Sequence, residues 1–207
     1  MRKLERKSLD ELAQKMPLIK ESEQAQFVGG YKYYDASGNY MGTLGSSNEI
    51  RLLYNNLLDL NSIVLAGDCT ETNNTAYNMS ISYSDMSSMQ KETVISTILK
   101  ETDATFSGDV SFTYSSSSAE IGSSESGNIS INVDHYVLSD GNYYNIKSAL
   151  VYGITSATTI GGNSEYEALY AQVYHPDFEN CTETMKAAVI SQFNNSAAKL
   201  GKPLYGE

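Results

Sequence analysis

Few residues in this chain have the type and spacing that chemistry needs. The two histidines, His135 and His175, lie forty residues apart. No pair of them has the spacing of a zinc site, and each alone reads as a polar residue closing a strand or helix. His175 precedes Cys181 by six residues. A Cys–His pair can activate a thiolate, but no third residue stands where it would orient the ring. Cys69 is the other cysteine. The two are thiols in a reducing compartment; outside the cell they could pair, closing a separation of 112 residues. There is no G-x-S-x-G elbow, no P-loop, no G-x-G-x-x-G and no C-x-x-C. The residues by themselves assign no metal ion and no cofactor.

Composition narrows the function classes further. The chain has 207 residues, 41% hydrophobic and 19% charged, which is enough for one domain with a short appendage. Its net charge of -11 argues against nucleic acid and against anionic membrane surfaces as partners. No run approaches the ~20 apolar residues of a membrane span. Sixteen tyrosines, no tryptophan and abundant Ser, Asn and Thr suit an exposed, extracellular type of surface. The charge is uneven. Residues 1–30 hold six basic and five acidic residues, so the remaining 177 carry eight and twenty, a balance of -12. Two segments of different character meet near residue 30.

The first segment has a basic start but no apolar core of 7–15 residues, so it is not a secretory signal of the general type. Ser8 and Glu11 form a capping box ahead of Leu9, Leu12 and Met16 on one helical face, and Pro17 interrupts the pattern. The segment ends Phe27-Val28-Gly29-Gly30. Read plainly, this is an N-terminal helix with a glycine cap. Over its whole length, however, it resembles the double-glycine leader peptides of Bacteroidetes, which precede bacteriocins and other exported products. That resemblance implies synthesis in the cytoplasm as a precursor and secretion by an ABC exporter. It implies further that the exporter's own peptidase domain cuts after Gly30. It also implies that Met16, Ile19 and Phe27 are gripped as apolar anchors, with Glu23 where an acid is common. Gln24 departs from the pattern, since an apolar residue often stands there. Gly29 and Gly30 suit a narrow protease cleft because they bring no Cβ to the scissile bond.

Residues 31–207 read as one α+β domain, a small mid-chain β-sheet flanked by N- and C-terminal helices. Tyr33–Gly42 reads as a hairpin turning at Asp35–Asn39. Asn48 caps a predicted helix with Ile50, Leu53, Tyr54, Leu57 and Leu58 on one face. Ile63–Leu65 and the alternating Met79, Ile81, Tyr83 predict strands. Ser87 and Gln90 form a capping box for a helix that buries Val94, Ile95, Ile98 and Leu99. Val110, Phe112 and Tyr114 alternate, as do Ile129, Ile131 and Val133, with a further short stretch at Tyr136–Leu138. The Ser-rich run 115–126 reads as a mobile loop. Ile146, Ala149, Leu150, Gly153, Ile154 and Ala157 then repeat at helical spacing after a cap at Asn145. A second helix starts from a Ser164–Glu167 capping box, carries Tyr166, Leu169, Tyr170, Val173 and Tyr174, and stops at His175-Pro176. A last helix runs from Thr182 to Leu200 and ends at Gly201.

The stretch Tyr143–Asn195 resembles the active-site region of small zincin metallopeptidase-like domains of bacterial exported proteins. There a helix carries His-Glu-x-x-His, and the following helix supplies a third zinc ligand. On this chain the first His position is Tyr152, the Glu position Gly153 and the second His position Ser156. Glu165 or Glu167 matches the third ligand, and with His175 these would be the remnant of a site. Tyr, Gly and Ser cannot hold zinc at neutral pH, and nothing at Gly153 can act as a general base. The acids at 165 and 167 also suit the first turn of a helix for electrostatic reasons alone.

Three function classes follow. The first is a secreted, non-catalytic pseudo-zincin that acts as an effector or binding protein on an extracellular protein or surface target. The second is a hydrolase or metallopeptidase with a non-standard site drawn from Glu165, Glu167 and His175 or His135. The third is a large bacteriocin-like toxin, against which the charge of -12 speaks, since membrane disruption favours a basic amphipathic helix.

Overall fold

The computed structural model describes residues 30–44, 47–54, 76–102, 109–115, 121–125, 128–159 and 163–206. The leader-like segment before Gly30, Cys69, and the predicted strand at Ile63–Leu65 lie outside the described residues.

The described residues open with the hairpin expected from the sequence, β1 (Tyr31–Tyr34) and β2 (Tyr40–Leu44). Asp35 builds the turn: its Oδ1 accepts from the backbone N–H of Ser37 and Asn39, both at 2.8 Å. Gly38 completes the turn at φ +75°. β3 (Ile50–Leu53) runs parallel to β1, and β4 (Ser80–Ser82) runs antiparallel to β3, giving the order β2-β1-β3-β4. β3 corrects the helix predicted after Asn48. All four of its residues are buried, because a central strand covered on both faces needs no polar alternation. Its apolar run therefore matched a helical period by coincidence.

The capping box of Ser87 and Gln90 forms as read and starts α1 (Ser88–Lys100), which buries Val94, Ile95, Ile98 and Leu99. Thr97 on this helix donates to Gly38 O at 2.7 Å and ties the hairpin turn to it. A second sheet follows: β5 (Val110–Thr113), β6 (Gly122–Glu125) and β7 (Asn128–Asn132), in the order β5-β7-β6. β6 corrects the reading of 115–126 as a loop throughout. It pairs antiparallel with β7 from Gly122↔Ile131 to Glu125↔Asn128, so the partner's ladder decides the conformation where serine has no strong preference. Tyr136–Leu138 belongs to a 3₁₀ helix (Tyr136–Asp140) and not to a strand.

The three C-terminal helices fall where periodicity placed them, as α2 (Tyr143–Thr158), α3 (Ser164–Val173) and α4 (Glu183–Leu200). Two caps differ. Asn142, not Asn145, caps α2, accepting from the N–H of Tyr144 and Asn145 at 3.1 Å each. The capping box predicted at Ser164 does not form: Asn163 is the cap, and its side chain makes no capping bond. Thr182 and Gly201 bound α4 as expected, the latter at φ +62°.

The result is a single α+β domain. Its described strands begin at Tyr31 and α2, α3 and α4 close it, while the helix read in the first thirty residues lies outside the described residues. α2 is the hub. Ile146, Ala149, Leu150 and Ile154 enter the main core with Ile50, Leu52, Ile98, Ile129 and Ile131. A second core joins Tyr166, Leu169 and Val173 of α3 to Val189 and Phe193 of α4. No helix among the described residues is long and apolar enough to cross a membrane.

Candidate functional site: a cleft on helix α2

A cavity of about 920 Å³ opens along one flank of α2. The helix supplies Asn145, Ala149, Tyr152, Gly153, Ser156 and Ala157, and β6 contributes Gly122. The 3₁₀ segment brings His135, Tyr136 and Asp140, α3 brings Gln172, and α4 brings Thr184, Ala188 and Gln192. The three positions aligned with the zincin motif, Tyr152, Gly153 and Ser156, therefore share this wall.

Close packing explains why position 153 is glycine. A Cβ on Gly153 would lie 3.0 Å from Ile121 Cγ2, and one on Gly122 would lie 2.7 Å from Gly153 O. The strand lies directly against the helix, so these glycines set the depth of the cleft.

Of the other expected site residues, His135 lines the cleft, but Glu165, Glu167 and His175 do not. Glu165 and Glu167 are exposed in the first turn of α3. Glu165 still reaches Tyr152 electrostatically: burial first, and then that carboxylate, push the Tyr152 phenol up. His175 belongs to a different network. Its Nδ1 accepts from Asp177 N at 3.2 Å and its Nε2 faces Thr102 O at 3.3 Å, while Asp177 pairs with Lys147 at 2.6 Å. Both ring nitrogens of His175 are thus engaged within this network rather than at the cleft.

Cys181 is a buried thiol that donates to Tyr144 O at 3.4 Å. Burial pushes it up to about 11. It is therefore not an activated nucleophile, and the Cys–His pairing read from sequence is not assembled.

Of the histidines the sequence offered, His135 lines the cleft, whereas Asp140 and Gln172 had no sequence signal of a site and only the fold brings them there. With Ser156 they include the residue types of a Ser–His–Asp triad. The hydrogen bonds argue against that use. His135 Nδ1 accepts from Val137 N at 3.2 Å, so no carboxylate can orient the ring through that nitrogen. Asp140 accepts instead from Asn142 N at 2.9 Å and from the Asn145 amide. Asn145 also bonds Thr182 at 3.0 Å through both its oxygen and its nitrogen, which locks the start of α4 to α2. Gln172 donates to Ser148 at 3.0 Å. Among the described residues, no three His, Cys, Asp or Glu side chains converge as a metal site.

The chemistry this wall offers is hydrogen bonding from amides and hydroxyls, with Asp140 as a single fixed carboxylate and Tyr136 as a ring 72% exposed at the rim. Comparisons with family models, with curated proteins and with solved structures find no match to the chain.

Proposed function

We propose that residues 31–207 are a secreted, non-catalytic binding domain with a pseudo-zincin ancestry. In this reading an ABC exporter's peptidase releases the domain by cutting after Gly30. The domain then engages an extracellular protein or surface target through the cleft on α2. The observation that carries the export half is a boundary: β1 begins at Tyr31, the residue after Gly30. Scission there leaves the described strands and helices whole. The non-catalytic half rests on residue chemistry. Tyr152, Gly153 and Ser156 offer neither imidazole nor carboxylate on the cleft wall.

A hydrolase built on Glu165, Glu167 and His175 or His135 gains no support, because His175 is bonded into the Lys147–Asp177 network, His135 Nδ1 accepts from Val137 N, and both glutamates face solvent. Mass spectrometry of the producing cells' medium tests export. A species beginning at Tyr31 is expected, and an intact Met1 there, or retention in the cell, refutes the leader. Elemental analysis tests the second half: stoichiometric zinc in the purified domain would end the pseudoenzyme reading.

A further inference from the structure

Two cations among the described residues are about nine-tenths buried or more, and they are treated differently. Lys147, 9% exposed, has its acid in Asp177 at 2.6 Å. Arg51, 6% exposed, forms no ion pair among the described residues, although the domain is rich in carboxylates. Its Nε donates to Ser80 Oγ at 2.8 Å, and its Nη2 donates to Tyr77 O and Ser80 O at 3.3 and 3.2 Å. The Tyr77 ring lies 3.8 Å from Cζ and the Tyr31 ring 5.5 Å. Rings and neutral oxygens moderate the charge without cancelling it. Among the described residues the Nη1 amino group has no hydrogen-bond partner.

A second orphan stands beside it. Tyr33 pairs with Arg51 in the parallel register of β1 and β3, so the two side chains share a face of the sheet. Tyr33 is fully buried, and its hydroxyl has no partner. Its other neighbour in register is Gly42, which adds no side chain to that flank. Ser80 Oγ is engaged elsewhere, donating to Tyr77 O at 2.9 Å and accepting from Arg51, and makes no bond to the Tyr33 hydroxyl. Among the described residues the patch thus presents three unused N–H and O–H donors and a positive charge with no acid beside it, bordered by Leu44, Leu53 and Ala76.

We propose that this face of the four-stranded sheet binds a small organic carboxylate, with one oxygen on Arg51 Nη1 and the other on the Tyr33 hydroxyl. A carboxylate supplies acceptors where only donors remain, and a single negative charge where a single positive one is unmatched. The apolar border suits a short hydrocarbon body better than the dianionic shell of phosphate. Tyr77, 44% exposed, covers the guanidinium and is the ring that must swing aside for entry.

Thermal unfolding of the full chain with added sodium acetate tests the proposal, against sodium chloride and sodium phosphate at matched ionic strength. A saturable rise of the midpoint with acetate alone is expected. Arg51→Gln should abolish it. Because that variant risks the fold, Tyr33→Phe is the sharper probe. It removes only an unsatisfied hydroxyl, so its midpoint without acetate should match or exceed the parent's, while the acetate response is lost. An equal rise with chloride or phosphate, or an acetate response that survives Tyr33→Phe, would overturn the assignment.

Discussion

The carbonyl oxygen of Gly153, in the middle of α2, lies 2.7 Å from where a Cβ on Gly122 would stand. The reverse contact is softer: a Cβ on Gly153 meets the Ile121 methyl Cγ2 at 3.0 Å. Gly122→Ala drives a methyl into backbone and should destabilise by about 1–3 kcal/mol. Gly153→Ala meets a side chain that can rotate, and it regains about 1 kcal/mol of helix propensity. Denaturant unfolding should therefore rank Gly122→Ala as clearly the worse of the two. Equal losses would mean that strand and helix are not in this contact.

The domain should lose stability as pH rises above about 9. Burial raises the Cys181 thiol from 9.0 to about 11 and the Tyr33 phenol to about 12, and it raises Tyr34, Tyr83 and Tyr143 as well. Groups whose folded pKa is raised hold their protons longer in the folded chain. Their contribution is complete below the unfolded pKa and is lost as pH climbs toward the folded one, because the unfolded chain then binds fewer protons. Lys32, lowered chiefly by burial, acts in the opposite sense but is one group against several. Urea midpoints should fall between pH 9 and about 11. In the same samples near neutral pH, Cys181 should react with iodoacetamide only after unfolding.

Lys147 depends on Asp177. The pair is 2.6 Å apart, with side chains 11% and 29% exposed. Asp177→Ala leaves a nearly buried ammonium without an acid and should destabilise by about 2 kcal/mol. Adding Lys147→Met to that variant should restore part of the loss, measured as a double-mutant cycle. Simple additivity of the two changes would show that the pair does not interact.

Two asparagines one turn apart separate capping from bracing. Asn142→Ala removes the cap of α2 and should cost about 1 kcal/mol. Asn145→Ala removes no cap. It unlinks α4 from α2 by breaking the bonds to Thr182 and Asp140. Amide hydrogen exchange should therefore accelerate in the first turn of α4 for Asn145→Ala, and in the first turn of α2 for Asn142→Ala.

What was legible in the sequence was local. Helical period located α1, α2, α3 and α4, because an amphipathic helix carries its buried stripe in nearby residues, and capping chemistry also marked the starts of α1 and α4 but misplaced those of α2 and α3. The Asp35–Asn39 turn was legible for the same reason. Strands that owe their conformation to a partner were not: β3 looked helical because both its faces are covered, and β6 looked like a loop because serine accepts whatever ladder β7 offers.

For the site, the sequence by itself determined what chemistry is absent from the helix: Tyr152, Gly153 and Ser156 stand where a zincin-like motif would need its ligands and base. Only the tertiary structure decided which side chains share that wall. It brought His135, Asp140 and Gln172 to the cleft and turned His175 away toward Asp177. It also set Arg51 beside Tyr33 with no acid among the described residues to pair it. The physical reason is range. Covalent neighbours fix helix faces and caps, whereas cleft membership and charge pairing depend on contacts between residues tens of positions apart, which no local pattern records.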